Sequence, residues 1–259
     1  MPEHEADRTL LIEAARDAAQ VALRHFGASP QVWQKSGGQG PVSAADLEVD
    51  QLLREGLMTA RPDYGWLSEE TADAPDRLRR KRCFVVDPID GTVSFLKGKP
   101  GWAISLAVVE NGTPVAAVVA MPVTGHVYSA TRGRGAIWNE QPMALTRAAN
   151  LPRISIPKNQ LAAEFWPAGP AQITPVHGGA LALRLTRLAE GDVDGTVTFR
   201  PVWEWDIAAG ALIAAEAGAR VSDRAGLDLS FNSPSAQLNG LIAAAPDLHA
   251  DLMTRTART

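Results

Sequence analysis

Two aspartates, Asp87 and Asp90, close an apolar run and are followed at once by a glycine and a hydroxyl, in the order Phe84-Val85-Val86-Asp87-Pro88-Ile89-Asp90-Gly91-Thr92. Carboxylates that converge repel one another unless a cation lies between them, and a hard divalent ion such as Mg²⁺ takes oxygen ligands of this kind. Three further segments place an acid at an element boundary: Asp46 after Val42-Ser43-Ala44-Ala45, Glu69 after Tyr64-Gly65-Trp66-Leu67-Ser68, and Asp206 within Trp203-Glu204-Trp205-Asp206-Ile207. Each alone has an ordinary explanation. Asp46 and Asp206 read as helix-start residues, and Glu69 with Glu70 as a solvated acid pair. Together they suggest a carboxylate-rich pocket beside Gly91 and Thr92, where the N–H groups of a helix start would face an anion.

The elements that must position these acids follow from the hydrophobic pattern. Phe84 to Val86 reads as a buried strand, because a short β-branched and aromatic run bounded by Pro and Gly fits a strand better than a helix. Pro88 then predicts a tight turn with Asp87 and Asp90 on either side of it. Helical spacing runs from Glu5 to Phe26 and from about Val42 to Ala60, the second with Leu52, Leu53 and Leu57 on its buried face. Between them, the glycine-rich segment Gln31 to Pro41 lacks the order of a phosphate loop and reads as a mobile flap. Ala103–Val109, Pro114–Met121 and His126–Ala130, separated by Asn111-Gly112 and Thr124-Gly125, predict an antiparallel meander. Further on, strands are expected at 154–156, 173–176, 193–199, 219–222 and 240–244. Helices are expected at 179–190, from Trp203 to Ala217, and at 246–254.

Composition limits the alternatives. The 259 residues are 46% hydrophobic and 21% charged, ordinary values for a globular protein with a substantial core. A net charge of -4 gives no general basic field, so no nucleic-acid polymer is expected as a partner. Cys83 is the only cysteine, which rules out an intrachain disulfide or a cysteine-rich zinc site, fits a reducing compartment, and is expected to pack beneath the central strand. No apolar run approaches the roughly 20 residues that span a bilayer, and Met1 to Arg8 carries no leader pattern. A cytoplasmic protein with no membrane partner is the expectation.

Haloacid-dehalogenase phosphatases also end a strand in acids followed by Gly-Thr, but only one residue separates their two aspartates. Here Pro88 and Ile89 both intervene, which argues against an aspartyl-phosphate enzyme. Asp87-Pro88-Ile89-Asp90-Gly91-Thr92, Leu67-Ser68-Glu69-Glu70 and Trp205-Asp206-Ile207-Ala208-Ala209-Gly210 instead resemble, in order, the signature motifs of the inositol monophosphatase family. The resemblance covers nearly the whole chain. It implies an α/β layered sandwich (αβαβα) with mixed sheets and two intimate subdomains, approximately 1–147 and 148–259. It also implies a Mg²⁺-dependent, typically lithium-sensitive phosphomonoesterase using two to three ions.

Carried over by position, the resemblance implies that Glu69, Asp87 and the Ile89 carbonyl hold one Mg²⁺, and that Asp87, Asp90 and Asp206 hold a second. Asp46 would support Thr92 near a third, weaker ion, and Gly91 and Thr92 would bind phosphate through backbone donors. The implied reaction is hydrolysis by metal-activated water oriented by Glu69 and Thr92, without a covalent intermediate.

The substrate is then a small phosphorylated metabolite. Lys35, the Gly40 to Asp46 segment and Glu204-Trp205-Asp206 resemble the bacterial 3'(2'),5'-bisphosphate nucleotidase branch more than the inositol-phosphatase branch. Histidinol phosphate and fructose 1,6-bisphosphate are alternatives, as is a regulatory protein-binding role with little catalysis. Val93 and His177-Gly178-Gly179 depart from the common patterns of the branch. Glu204 is the candidate contact for a sugar hydroxyl. Trp203 and Trp205 could stack on a purine, although aromatic residues beside a helix start more often pack in the core. Lys35 could reach a second phosphate or simply be solvated. Homodimerisation is left open.

Overall fold

Nine residues form the strand β4 (Arg82–Asp90), the second strand of a seven-stranded sheet, and eight of them are buried. A strand covered on both faces reads as a continuous apolar run, which is why Phe84, Val85 and Val86 show no alternation. The computed structural model describes residues 2–28, 30–35, 40–145, 151–169 and 171–256, with elements numbered along the chain. In the large sheet β3 (Gly65–Ser68) runs parallel to β4. On the other side β5 (Ala103–Glu110), β6 (Thr113–Met121), β7 (His126–Thr131), β8 (Ala136–Trp138) and β9 (Gln141–Met143) follow as an antiparallel meander. Asn111 and Gly112 both take positive φ between β5 and β6, the conformation that a two-residue hairpin turn requires.

Alternate residues of β5 serve two different cores. Ile104, Leu106 and Val108 face outward and pack with helices α1 (Pro2–His25) and α2 (Ala44–Ala60), through Leu11, Ala18, Val49 and Leu57. Ala103, Ala107 and Val109 face inward against α4 (Leu181–Ala189) and α5 (Glu204–Glu216). Small residues dominate the seam between those two helices. A Cβ added to Gly210 would lie 2.8 Å from the Leu185 side chain.

Beyond the α4/α5 layer lies a second sheet in the order β11 (Thr174–Val176), β10 (Arg153–Ser155), β12 (Gly195–Thr198), β16 (Leu241–Ala244), β14 (Arg220–Ser222). Its outer face packs with α6 (Pro246–Arg255) through Ile154, Val197, Ile242 and Leu252. The stack is therefore helix, sheet, helix, sheet, helix, with parallel and antiparallel pairs in both sheets, the layered sandwich expected from the sequence.

Several expectations need correction. Asp87 and Asp90 do not flank a turn: β4 continues through both, pairing Asp87 with Ser105 and Asp90 with Ala103. Pro88 and Ile89 together oppose the single residue Ile104, which makes a β-bulge, and the N–H that proline lacks falls where the ladder is already interrupted. Because Ser105 and Ala103 share a face, the bulge sets both aspartates on the inner face. Leu52 is 37% exposed rather than on the buried face of α2. Cys83 lies within β4 itself rather than beneath it.

The described ends of the glycine-rich segment form a hairpin, β1 (Val32–Gln34) with β2 (Pro41–Ser43), and residues 36–39 lie outside the described residues. The expected subdomain boundary near residue 147 also lies outside them. The short strands β8 and β9, and the pair β13 (Val202–Trp203) with β15 (Gln237–Leu238), were not visible in the pattern.

Candidate metal and phosphate site

Three carboxylates from three separate elements meet at the end of β4. Glu69 follows β3 and is tied to β4 by its N–H, which donates to the Val86 carbonyl at 3.2 Å. Asp87 stands on β4, with one oxygen accepting the Ile89 N–H at 3.0 Å across the bulge. Asp206 is the third residue of α5, in its first turn, with Trp203 at the cap position. One oxygen from each of Glu69, Asp87 and Asp206 lies within 4.8 Å of the others. Asp90 borders the same cavity, of about 200 Å³, while its Oδ2 accepts the Ala182 N–H at 2.8 Å. Gly91, Thr92, Trp203 and Trp205 complete the lining.

Behind this cluster Asp46 is buried and fully used. Its Oδ2 accepts both the Ser43 N–H at 2.8 Å and the Ser43 hydroxyl at 2.5 Å. Its Oδ1 lies 3.2 Å from the Thr92 hydroxyl, which is also 3.2 Å from the Ile89 carbonyl. Asp46 is thus at once a helix-start residue closing onto Ser43 and the support of Thr92. Gly91 enters the following short helix α3 (Thr92–Leu96) with φ of 97°, a conformation that favours glycine.

Burial first, and then Glu69, Asp90 and Asp206, push the Asp87 carboxyl well above its ordinary range. Burial and the neighbouring acids do the same to Asp206. Burial raises Asp90 to about 7, although the Ala182 N–H works in the opposite direction. Groups so placed hold their charge only when positive charge arrives. The nearest supply within the chain is Lys35, at the end of the β1–β2 hairpin. Its Nζ lies 2.6 Å from Glu69 and 2.7 Å from Glu70. One ammonium facing at least four buried or half-buried acids leaves the cluster underneutralised, and its donors are all hard oxygens. The set fits a divalent ion of the Mg²⁺ type, which Glu69, Asp87 and Asp206 are placed to hold.

Glu204 does not belong to the pocket. It is wholly buried, and its two oxygens accept the backbone N–H groups of Asn232 at 2.5 Å and Ser233 at 2.8 Å. Arg77 holds the same loop through Asn232 and the Ser233 carbonyl. A carboxylate committed in this way has no oxygen facing a sugar hydroxyl, so Glu204 fixes the start of α5 and with it the placement of Asp206. Lys35, read from the sequence as reaching a second phosphate or as solvated, instead meets two acids that lie 34 and 35 residues away. Sequence reasoning also favoured the core for both tryptophans. Trp205 is 9% exposed, but Trp203 is half-buried, and both border the cavity.

Residues 4–259 match the model of the inositol monophosphatase family. The 3'(2'),5'-bisphosphate nucleotidase CysQ of Salmonella typhimurium is 32% identical over 237 residues, which cover 88% of this chain and 94% of that protein. An inositol-1-monophosphatase of Rhizobium meliloti is 33% identical over 230 residues, covering 84% of this chain and 85% of that one. Among solved structures, the Thermotoga maritima IMPase TM1415 superposes with a TM-score of 0.82 at 27% identity, covering 96% of this chain and 95% of its own.

Proposed function

Because the chain belongs to the inositol monophosphatase family and is a phosphoric monoester hydrolase, we propose that it releases phosphate from a small phosphorylated metabolite at the cavity beside Asp87, with Mg²⁺ as cofactor. The observation that carries this reading is the meeting of Glu69, Asp87 and Asp206 within 4.8 Å of one another. Glu69, Asp87, Asp90, Asp206 and the Ile89 carbonyl would hold the ions, two or three in number. When bound, they would polarise the phosphoryl group and acidify a water molecule.

The chain's own groups supply position. The Thr92 hydroxyl, lying between Asp46 and the Ile89 carbonyl, is oriented by their two oxygens, and Thr92 lines the cavity. Thr92 and Glu69 would hold the attacking water in line with phosphorus, and Glu69 would accept its proton. The backbone at Gly91 and Thr92 would seat the phosphate oxygens. No covalent intermediate is required.

Of the relatives, the nucleotidase and the inositol phosphatase name the two substrate classes to be compared. The segment from Gly40 to Asp46 favours a 3'(2'),5'-bisphosphate nucleotidase. The test is phosphate release with Mg²⁺ and with chelator from adenosine 3',5'-bisphosphate, inositol 1-phosphate, fructose 1,6-bisphosphate and histidinol phosphate. Mg²⁺-dependent release is expected, with preference for the nucleotide. Release from none of them would overturn the reading, and preference for inositol 1-phosphate would overturn the choice of branch.

A further inference from the structure

Trp203 and Trp205 lie face to face, with ring centroids 4.8 Å apart and planes within 7° of parallel. Trp205 supplies the buried half of the pair. Trp203 keeps part of its surface open beside the four acids, so the indole leaves apolar area in water there. The reaction at phosphorus has no use for such a surface.

The rest of the lining is Glu69, Asp87, Asp90, Asp206, Gly91 and Thr92. Its four carboxylates are the ones placed to hold metal, it carries no cationic or amide side chain, and Lys35 at its rim is engaged by Glu69 and Glu70. The mount is fixed on both sides of the ring. Trp203 pairs with Gln237 in the two-stranded sheet of β13 and β15, and the next residue is the clamped Glu204.

We propose that Trp203 is a specificity-determining residue, a platform on which the planar base of a nucleoside phosphate stacks, extending the indole pair by one ring. The proposal rests on the phosphatase reading for where the phosphate sits. Base-on-aromatic stacking changes binding by roughly 5- to 100-fold.

The experiment compares adenosine 3',5'-bisphosphate with 1-O-methylribose 3,5-bisphosphate, in which a methoxy group replaces the base, in the wild type, Trp203→Ala and Trp203→Phe. The wild type is expected to favour the adenosine compound in kcat/KM. Trp203→Ala should reduce that preference by roughly 5- to 100-fold, mainly through KM, and Trp203→Phe should restore most of it. Stopped-flow quenching of tryptophan emission by adenosine 3',5'-bisphosphate, read before turnover, supplies a measurement independent of catalysis. The quench should be present in the wild type and diminished in Trp203→Ala. Should Trp203→Ala fail to fold, Trp203→Leu against Trp203→Phe makes the same comparison. An equal loss on both compounds, or a wild type without base preference and without quenching, overturns the platform. Absence of turnover with the quench intact counts against the phosphatase reading and leaves the platform supported.

Discussion

Asp90 and Ala182 are joined by a hydrogen bond of 2.8 Å from backbone N–H to carboxylate, across 92 residues of chain. An acid of the large sheet thereby caps the first turn of α4, so the site lies on the boundary between sheet and helix layer. Its geometry depends on how closely the two approach.

Gly91 sits at that approach with little room to spare. A Cβ there would lie 2.9 Å from the Gly101 carbonyl oxygen and 3.1 Å from the Ala180 Cβ, on a backbone with φ of +97°. Gly91→Ala is expected to cost about 1–3 kcal/mol in denaturant unfolding and to lower phosphate release by more than its effect on stability explains. A variant of normal stability and turnover would contradict this packing account.

Asp87→Asn removes one charge from a group of mutually repelling acids. Mg²⁺-dependent phosphate release should fall on the order of 10³-fold. In chelator, the melting temperature should stay at or above that of the wild type, because burial and the neighbouring Glu69, Asp90 and Asp206 already oppose a charge at this position and the amide carries none. Substantial metal-dependent turnover by this variant would refute the assignment of Asp87.

Lys35 holds the Glu69 carboxylate that a metal ion would need. Burial alone would lower the Lys35 ammonium, but Glu69 and Glu70 outweigh it and hold the group above its ordinary range. Lys35→Met should therefore lower the Mg²⁺ concentration at half-maximal thermal stabilisation by roughly 2- to 10-fold, since a ligand stabilises through its affinity for the folded state. A higher requirement would mean that Lys35 assists the metal instead of opposing it.

Glu204→Gln leaves one of the two N–H groups, of Asn232 or Ser233, without its carboxylate oxygen. A loss of about 1–3 kcal/mol in unfolding free energy is expected, with a fall in kcat as Asp206 loosens. Unchanged stability would show that the loop holds without this clamp.

Acid stability should report Glu110. Burial works to raise its carboxyl, but Arg82 at 2.6 Å, His4 and Lys81 outweigh it and bring the group from 4.5 to about 2. A folded-state value below the unfolded one means that the contribution is complete above pH 4.5 and is lost as pH falls through about 2. Glu110→Gln should cost about 1–2 kcal/mol at pH 7, discounted for solvent at the site. The difference from wild type should vanish near pH 2. A gap that persists there would place the effect in packing.

The acids, the meander and the long helices were legible because local pattern determines them. β5 alternates between two cores, and Asn111-Gly112 carries its turn in its residue types. What the pattern hid depends on partners distant in sequence. Pro88 signals a turn locally, and only the pairing with β5 makes it part of a bulge. Glu204 looks like a surface acid until residues 232 and 233 arrive with their N–H groups. Trp203 looks like core until the cavity wall is assembled around it.

The bulge in β4 also separates two kinds of vulnerability. A single base change can remove any of the acids, each of which is a side chain. The Ile89 carbonyl, turned toward Thr92 instead of into the strand pairing, is main chain and survives every replacement of its own residue. Only an insertion or deletion between Asp87 and Asp90 reaches it, so at that point the gene must preserve a count of codons more strictly than their meaning.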